Sequence, residues 1–116
     1  MTLTIDGTDY EIRFGIGFVR NLDKKYERTE HGTTFGLGLE STIPFLLTDN
    51  VLVLSELIYE GTCHLKKRPT QAQVDAYIDN CEDIDALLSE VKEELKNQNA
   101  TRKKYAAMAA GMANAH

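Results

Sequence analysis

Side chains that commonly act in catalysis or bind metals are few in this sequence and lie far apart. Cys63 and His64 are neighbours, but neighbouring residues on a helix point in different directions, so a Cys/His dyad would need partners from elsewhere. Cys63 and Cys81 are 18 positions apart without a CxxC motif, and no two histidines have the spacing of a metal site. We interpret both cysteines as reduced thiols and predict no catalytic residue, no metal site and no cofactor.

Two short glycine motifs could suggest a phosphate-binding loop: GIG at residues 15–17 and GLG at residues 36–38. Neither motif has the third glycine, or the Lys-Ser/Thr that follows, of the known phosphate-binding loops. We therefore predict that these glycines serve turns and close packing.

The charge of the chain disfavours a polyphosphate partner. Acidic residues outnumber basic ones, 18 against 13, and between residues 75 and 94 eight carboxylates are opposed by Lys92 alone. Nucleic-acid binding depends on cations that displace counterions from phosphates, so this segment would repel DNA and RNA. Two basic clusters, at residues 66–68 and 102–104, keep nucleic-acid binding open as an alternative.

The N-terminal residues 2–14 have the pattern of a β-hairpin. In LTIDGTDYEIRF, apolar and polar residues alternate on both sides of Asp6-Gly7. Asp-Gly suits a two-residue type I′ turn, in which both central residues have positive φ, and this register places Leu3 opposite Tyr10 on one apolar face. Two strands alone are marginally stable in water, so other elements of the chain or a partner must cover that face.

The middle of the chain is predicted to be helical, with apolar residues at helical spacing. One helix begins near residue 16, with Tyr26 in its apolar stripe and Arg28 near its C-terminal end. The Gly/Thr-rich residues 29–38 after it predict a loop. A short helix with Pro44 in its first turn follows. Capping oxygens at residues 48–50 then precede a long helix whose apolar stripe runs from Val51 to Leu65. The four residues VLVL that open this helix are typical of a core segment.

Two more helices are indicated between residues 69 and 97. Lys66 to Arg68, ahead of Pro69, are interpreted as the end of the long helix, where cations interact favourably with the helix dipole. Thr70 and Gln73 have the spacing of a capping box. The last of these helices has the clearest period, with five apolar residues on one side: Ile84, Leu87, Leu88, Val91 and Leu95.

Residues 98–116 differ from the rest, because they are rich in alanine and have only Tyr105, Met108 and Met112 as large apolar residues at helical spacing. Alanine favours a helix, but little burial is expected. The predicted fold is therefore α+β and mostly α. A single globular domain of residues 1–97 contains the hairpin, and a bundle of about five helices follows it. The segment 98–116 forms a loosely attached helix or a flexible tail.

No membrane-spanning or targeting segment is apparent in the sequence. No apolar run approaches the roughly 20 residues that cross a bilayer. The opening residues lack the basic and apolar regions of a signal peptide. We expect the chain to stay in the compartment where it is made and not to bind a membrane.

Three segments, in this order and spacing, resemble the tail assembly chaperones of long-tailed phages and prophages of Gram-positive bacteria. The first is the IDG…YE…F hairpin that runs into GIGF…L…KY, the second is the HLKKRPT junction, and the third is the acidic helix after that junction. The similarity extends over roughly residues 2–105. It implies a non-enzymatic protein that binds and solubilises the tape-measure protein in the host bacterial cytoplasm, helps to recruit major tail-tube subunits and is absent from the mature virion.

The resemblance also implies partners and contact surfaces. Members of this family commonly have a longer product made by ribosomal frameshifting, so this chain would be the short form, with the longer form as a partner and homo-oligomers expected. We predict that partners contact the hairpin face through Leu3, Tyr10 and Ile12, and the C-terminal stripe through Tyr105, Met108 and Met112. The alternative is a small nucleic-acid-binding or regulatory phage protein that uses the clusters 66–68 and 102–104.

Overall fold

The structure is a computed structural model, and it describes residues 1–113. Its elements, in chain order, are β1 (Thr2–Ile5), β2 (Thr8–Glu11), α1 (Ile16–Lys25), β3 (Glu27–Glu30), β4 (Thr33–Gly36), α2 (Gly38–Leu47), α3 (Val51–Glu60), α4 (Gln71–Asp79), α5 (Ile84–Asn97) and α6 (Arg102–Ala113). The predicted fold class, α+β and mostly α with an N-terminal hairpin, is confirmed. The described residues form six helices.

The N-terminal hairpin has the predicted register and turn. Strands β1 and β2 are antiparallel, with Leu3 opposite Tyr10. Asp6 has φ 51° and Gly7 has φ 77°, so both turn residues adopt the left-handed conformation that a type I′ turn needs. The inward side chains of β1 are buried against the helices, as the marginal stability of two isolated strands requires.

A close approach at Gly61 joins the hairpin to the end of α3. The backbone N–H of Arg13 donates a hydrogen bond of 2.8 Å to the Gly61 carbonyl. A Cβ atom on Gly61 would lie 2.6 Å from Cγ2 of Ile12 and 3.1 Å from the ring of Phe14. No larger residue fits there without displacing the hairpin, so this contact fixes its position on the helical body.

The hydrophobic core lies between the N-terminal hairpin and the helices. Each of the six helices contributes the side chains of its inner face to this core. Thirteen of its side chains are 2% exposed or less: Phe14, Phe18, Ile5, Ile12, Leu22, Ile43, Leu46, Leu54, Leu57, Ile58, Leu95, Val74 and Val91.

A second hairpin occupies the segment that the sequence predicts to be a loop, so that prediction is wrong. Strands β3 and β4 pair with Arg28 opposite Phe35, and a two-residue turn of His31 (φ 52°) and Gly32 (φ 78°) joins them. All eight strand residues are exposed. Because neither face is buried, the strands need no alternation of apolar and polar residues, and the sequence carries no such signal.

Three helix boundaries differ from the prediction. Pro44 is the seventh residue of α2 rather than part of its first turn, and only three helical residues follow it. The long helix ends at Glu60, where a turn begins, so Leu65 is not part of the α3 stripe. α1 ends at Lys25 because β3 starts two residues later.

The predicted caps and the stripe of α5 are confirmed. Asn50 accepts a hydrogen bond of 3.0 Å from the Val53 N–H at the start of α3. Thr70 and Gln73 make both bonds of a capping box, at 3.1 and 2.9 Å. Along α5, Ile84 is half-buried and four residues are buried: Leu87, Leu88, Val91 and Leu95.

The alanine-rich segment forms α6, which packs on α2 and α5. The hydroxyl of Thr101, just before α6, is buried and donates to the Leu95 carbonyl at 2.6 Å. Lys104 Nζ lies 2.5 Å from a Glu40 carboxylate oxygen on α2. The last three residues of the predicted segment 98–116 lie outside the described residues, and its separation from a domain of residues 1–97 stays a prediction.

The GLG motif packs against the C-terminal half of α1, in line with the packing role expected of these glycines. The Gly38 N–H donates to Asp23 Oδ1 at 2.8 Å. A Cβ atom on Gly38 would lie 2.8 Å from the backbone N of Asp23, and one on Gly36 would lie 2.5 Å from the Asp23 Cβ. The start of α2 and the base of the second hairpin are therefore held against the same residue.

Replacing Gly38 by alanine should lower the free energy of unfolding by about 1–3 kcal/mol, because overpacking a tight contact costs about that much. Gly17→Ala is the matched control, since nothing lies within 4 Å of a Cβ there and alanine favours the helix. Urea unfolding followed by circular dichroism measures both variants. Equal midpoints for Gly38→Ala and the wild type would contradict the tight contact.

Candidate functional site

The predicted hairpin surface is only partly accessible. Leu3 and Ile12 belong to the buried core, whereas Tyr10 is half-buried and packs at its edge. The hairpin turn is held to α4 by a hydrogen bond of 3.0 Å from the Gln73 side-chain amide to Asp6 Oδ2. A partner could reach Tyr10 without unfolding the chain, and partner binding by this face stays a prediction.

The predicted C-terminal stripe divides in a similar way. Tyr105 is buried, while Met108 and Met112 are half-buried. Burial and the nearby charge of Glu93 raise the pKa of Tyr105. An open groove between α5 and α6 runs beside this stripe and is lined by Ser89, Lys92, Glu93, Lys96, Tyr105, Ala106 and Ala109. A contact with partners through the two methionines stays a prediction.

The most exposed large apolar side chains of the helices include Phe45 and two residues of the VLVL turn, which was predicted to be core. Leu52 is 78% exposed, Phe45 is 53% exposed and Val51 is 50% exposed. The Asn50 N–H donates to the Phe45 carbonyl at 3.1 Å, so the end of α2 and the start of α3 meet in one tight turn. We call these three residues the α2–α3 corner.

The prediction that the whole VLVL turn is core is therefore wrong. Leu54 is fully buried, but Val51 and Leu52 face outward. A signal for this was present in the sequence. Four consecutive apolar residues point in all directions around a helix, so a helix with only one buried face must expose some of them.

A shallow groove of about 260 Å³ runs from the α2–α3 corner to α4. Val51, Leu52 and Ile78 provide its apolar lining, and the remaining lining residues are Ser55, Asp75 and Asp79. We call it the corner groove. Asp75 is oriented by its hydrogen bonds, since one carboxylate oxygen accepts from the buried Ser55 hydroxyl and from the Gln71 side-chain amide at 3.2 Å.

A polar network between α1 and α3 forms part of a second groove, which adjoins the corner groove and shares Leu52, Ser55 and Asp75 with it. The Tyr26 hydroxyl donates to Glu56 at 2.6 Å, and Lys25 Nζ lies 3.4 Å from Glu56 and 3.1 Å from Glu60. Burial and the bond to Glu56 raise the pKa of Tyr26 to about 12. Burial lowers the pKa of Lys25, but the bonds to Glu60 and Glu56 and their charges outweigh it, so the net shift is upward.

The basic clusters are partly used inside the chain. Arg68 lies 4.1 Å above the Tyr59 ring and donates to the Tyr59 carbonyl at 2.9 Å, so it satisfies the last turn of α3. The expectation that residues 66–68 end the long helix is wrong, since α3 stops at Glu60. Lys104 is paired with Glu40. Five cations of the two clusters are exposed: Lys66, Lys67, Arg102, Lys103 and the paired Lys104.

The cysteine and histidine side chains are the candidates for catalysis or metal binding in the described part of the chain. Cys63 and Cys81 are free, half-buried thiols. His64 Nε2 lies 3.5 Å from Glu11. No group of three His, Cys, Asp or Glu side chains within residues 1–113 is placed to hold a metal ion. Among these residues, no helix combines the length and apolar character that a membrane crossing requires.

The described residues form a small hairpin-and-helix fold with exposed apolar and acidic side chains. A family model, described as phage tail assembly chaperone protein, TAC, matches residues 2–109. The chain therefore belongs to the phage tail assembly chaperone family, and the resemblance seen in the sequence is confirmed. Searches among curated proteins and among solved structures each found no match.

The Tyr26–Glu56 bond should make stability depend on pH in the alkaline range. The folded-state pKa of about 12 lies above the unfolded value of about 10, so the contribution is complete below pH 10 and is lost as the pH rises through 12. Tyr26→Phe should lower the free energy of unfolding by about 1 kcal/mol at neutral pH. The difference from the wild type should shrink between about pH 10 and about pH 12.

Urea unfolding across this pH range measures that difference. Tyr10→Phe, on the hairpin surface, is the control and should change stability by less than about 0.5 kcal/mol. A Tyr26→Phe difference that stays constant up to pH 12 would show that the phenol proton does not hold the network.

Proposed function

We propose that this chain binds the tape-measure protein of a long-tailed phage as its client. The chain keeps this client soluble during tail assembly and helps to recruit major tail-tube subunits around it. The observation that carries the proposal is the family match over residues 2–109.

The surface of the chain is suited to such a client. A long, largely helical and apolar rod aggregates unless its apolar stripes are covered, and a covering protein needs exposed apolar side chains of its own. The α2–α3 corner offers them. The net charge of −5 supplies the repulsion that keeps a coated rod dispersed.

The proposal also covers where the chain acts and which copies and forms of it act together. The chain acts without an enzymatic step, in the host bacterial cytoplasm, and is absent from the mature virion. Many copies coat one rod, so copies contact one another, and a heterologous contact repeated along a rod produces a ring or a spiral. A longer frameshifted form of the chain takes part as a further partner.

Co-expression with the client encoded in the same phage genome tests the binding role. The client should be soluble and co-purify with this chain, and it should be insoluble when an unrelated acidic protein of similar size replaces the chain. Serine substitutions at Tyr10, Met108 and Met112, one at a time, test the predicted contact surfaces. A client that neither binds nor gains solubility would refute the chaperone role. Salt-dependent binding of DNA or RNA would then be measured on the wild type and on a Lys66→Ala, Lys67→Ala double variant.

Self-association is the second expected property. Size-exclusion chromatography with light scattering should show a mass that rises with protein concentration, because a heterologous contact adds subunits by mass action. A strict monomer at the highest concentration would count against subunit contacts in the absence of client.

A further inference from the structure

We propose that the corner groove is the binding site for an amphipathic helix of the client, and that it selects helices carrying Lys or Arg beside their apolar stripe. This inference rests on the proposed function, because the occupant is a client segment. It adds a location and a charge requirement that family membership does not supply.

The shape of the surface around Leu52 is complementary to the side of a helix. Leu52 projects from the first turn of α3 and lines both the corner groove and the second groove beside Lys25 and Tyr26. A projecting side chain that borders two adjoining depressions matches the packing of helices, in which side chains of one helix enter the spaces between side chains of the other. An incoming helix can place Leu52 between its own apolar residues and fill the depressions with them.

The charge around Leu52 favours a basic helix. The two grooves are lined by three carboxylates, Glu56, Asp75 and Asp79, against one ammonium group, Lys25. Lys25 is already bound to Glu56 and Glu60. A helix with Lys or Arg flanking its apolar stripe would neutralise the excess carboxylates, whereas a helix flanked by Glu would be repelled.

A second copy of this chain fits the groove less well than a client helix. Its acidic segment, residues 75–94, would meet like charge. Its basic helix α6 already uses Tyr105 in its own core and Lys104 in the pair with Glu40. The occupant is therefore a segment whose apolar stripe is unoccupied and whose flanks are cationic.

Two synthetic helices provide a direct probe. Both peptides are about 18 residues long, which makes five helical turns, and they share one leucine stripe, flanked by Lys in one peptide and by Glu in the other. Fluorescence anisotropy measures their binding to the full chain. The Lys-flanked peptide should bind, and Leu52→Glu should weaken it about tenfold or more, as loss of a central anchor does.

Matched variants distinguish loss of binding at the corner groove from misfolding and from a general change in surface charge. Leu52 is highly exposed and lies in the first turn of α3, where a carboxylate is tolerated, so Leu52→Glu should fold as the wild type does, as circular dichroism can verify. Ile16→Glu is the control, since Ile16 is 69% exposed and lines a different groove. It should leave peptide binding unchanged. Asp79→Lys should weaken binding of the Lys-flanked peptide and strengthen binding of the Glu-flanked peptide. Glu93→Lys, in the groove beside α6, should leave the binding of both peptides unchanged.

Co-expression with the client then separates the two levels of the proposal. If the client co-purifies equally with the wild type and with Leu52→Glu, the corner groove is not the binding site of the client, although the chaperone role stands. If the client fails to bind the wild type, the proposed function falls and this inference falls with it. Equal binding of the two peptides would overturn the charge requirement. If Leu52→Glu converts an oligomer into a monomer, the groove holds a second copy, and the inference is overturned.

Discussion

The contact at Gly61 determines how the N-terminal hairpin is placed on the helices. The hairpin cannot stand alone in water, and its position on the helices is set where Ile12 and Phe14 close over a residue without a side chain. The C-terminal half of α3 is thereby enclosed, with Leu57 and Ile58 fully buried. α3 has ten residues and is about 15 Å long. Its opposite end, with Val51 and Leu52, lies beyond that cover and remains in solvent.

Local sequence signals determined much of the fold. The Asp6-Gly7 turn, the Thr70–Gln73 capping box and the stripe of α5 each depend on neighbours in sequence, and each was predicted correctly. The second hairpin was missed because it buries neither face, so its strands carry no alternation. The end of α3 was misplaced because apolar residues at helical spacing continue to Leu65 although the chain turns at residue 61.

The candidate surfaces were harder to predict, because exposure depends on which elements cover which. Leu3 and Ile12 have the pattern of a half-buried strand whether the covering elements belong to the same chain or to a partner. The structure shows that they belong to the same chain. Val51 and Leu52 of the α2–α3 corner are the reverse case, since the apolar VLVL sequence predicted burial and no described element covers Leu52. In both cases the missing information is the tertiary neighbour, which sequence periodicity does not contain.

The second hairpin has a consequence for the motions of the molecule. Its eight strand residues contribute no buried side chain, and its internal contacts include a 2.9 Å hydrogen bond between the Thr29 and Thr34 hydroxyls and an ion pair of 2.6 Å between Arg28 and Glu30. Its strands can separate without exposing the core, so we expect this region to open as a unit of its own at a low free energy. On this expectation the second hairpin folds and unfolds locally while the rest of the protein stays native.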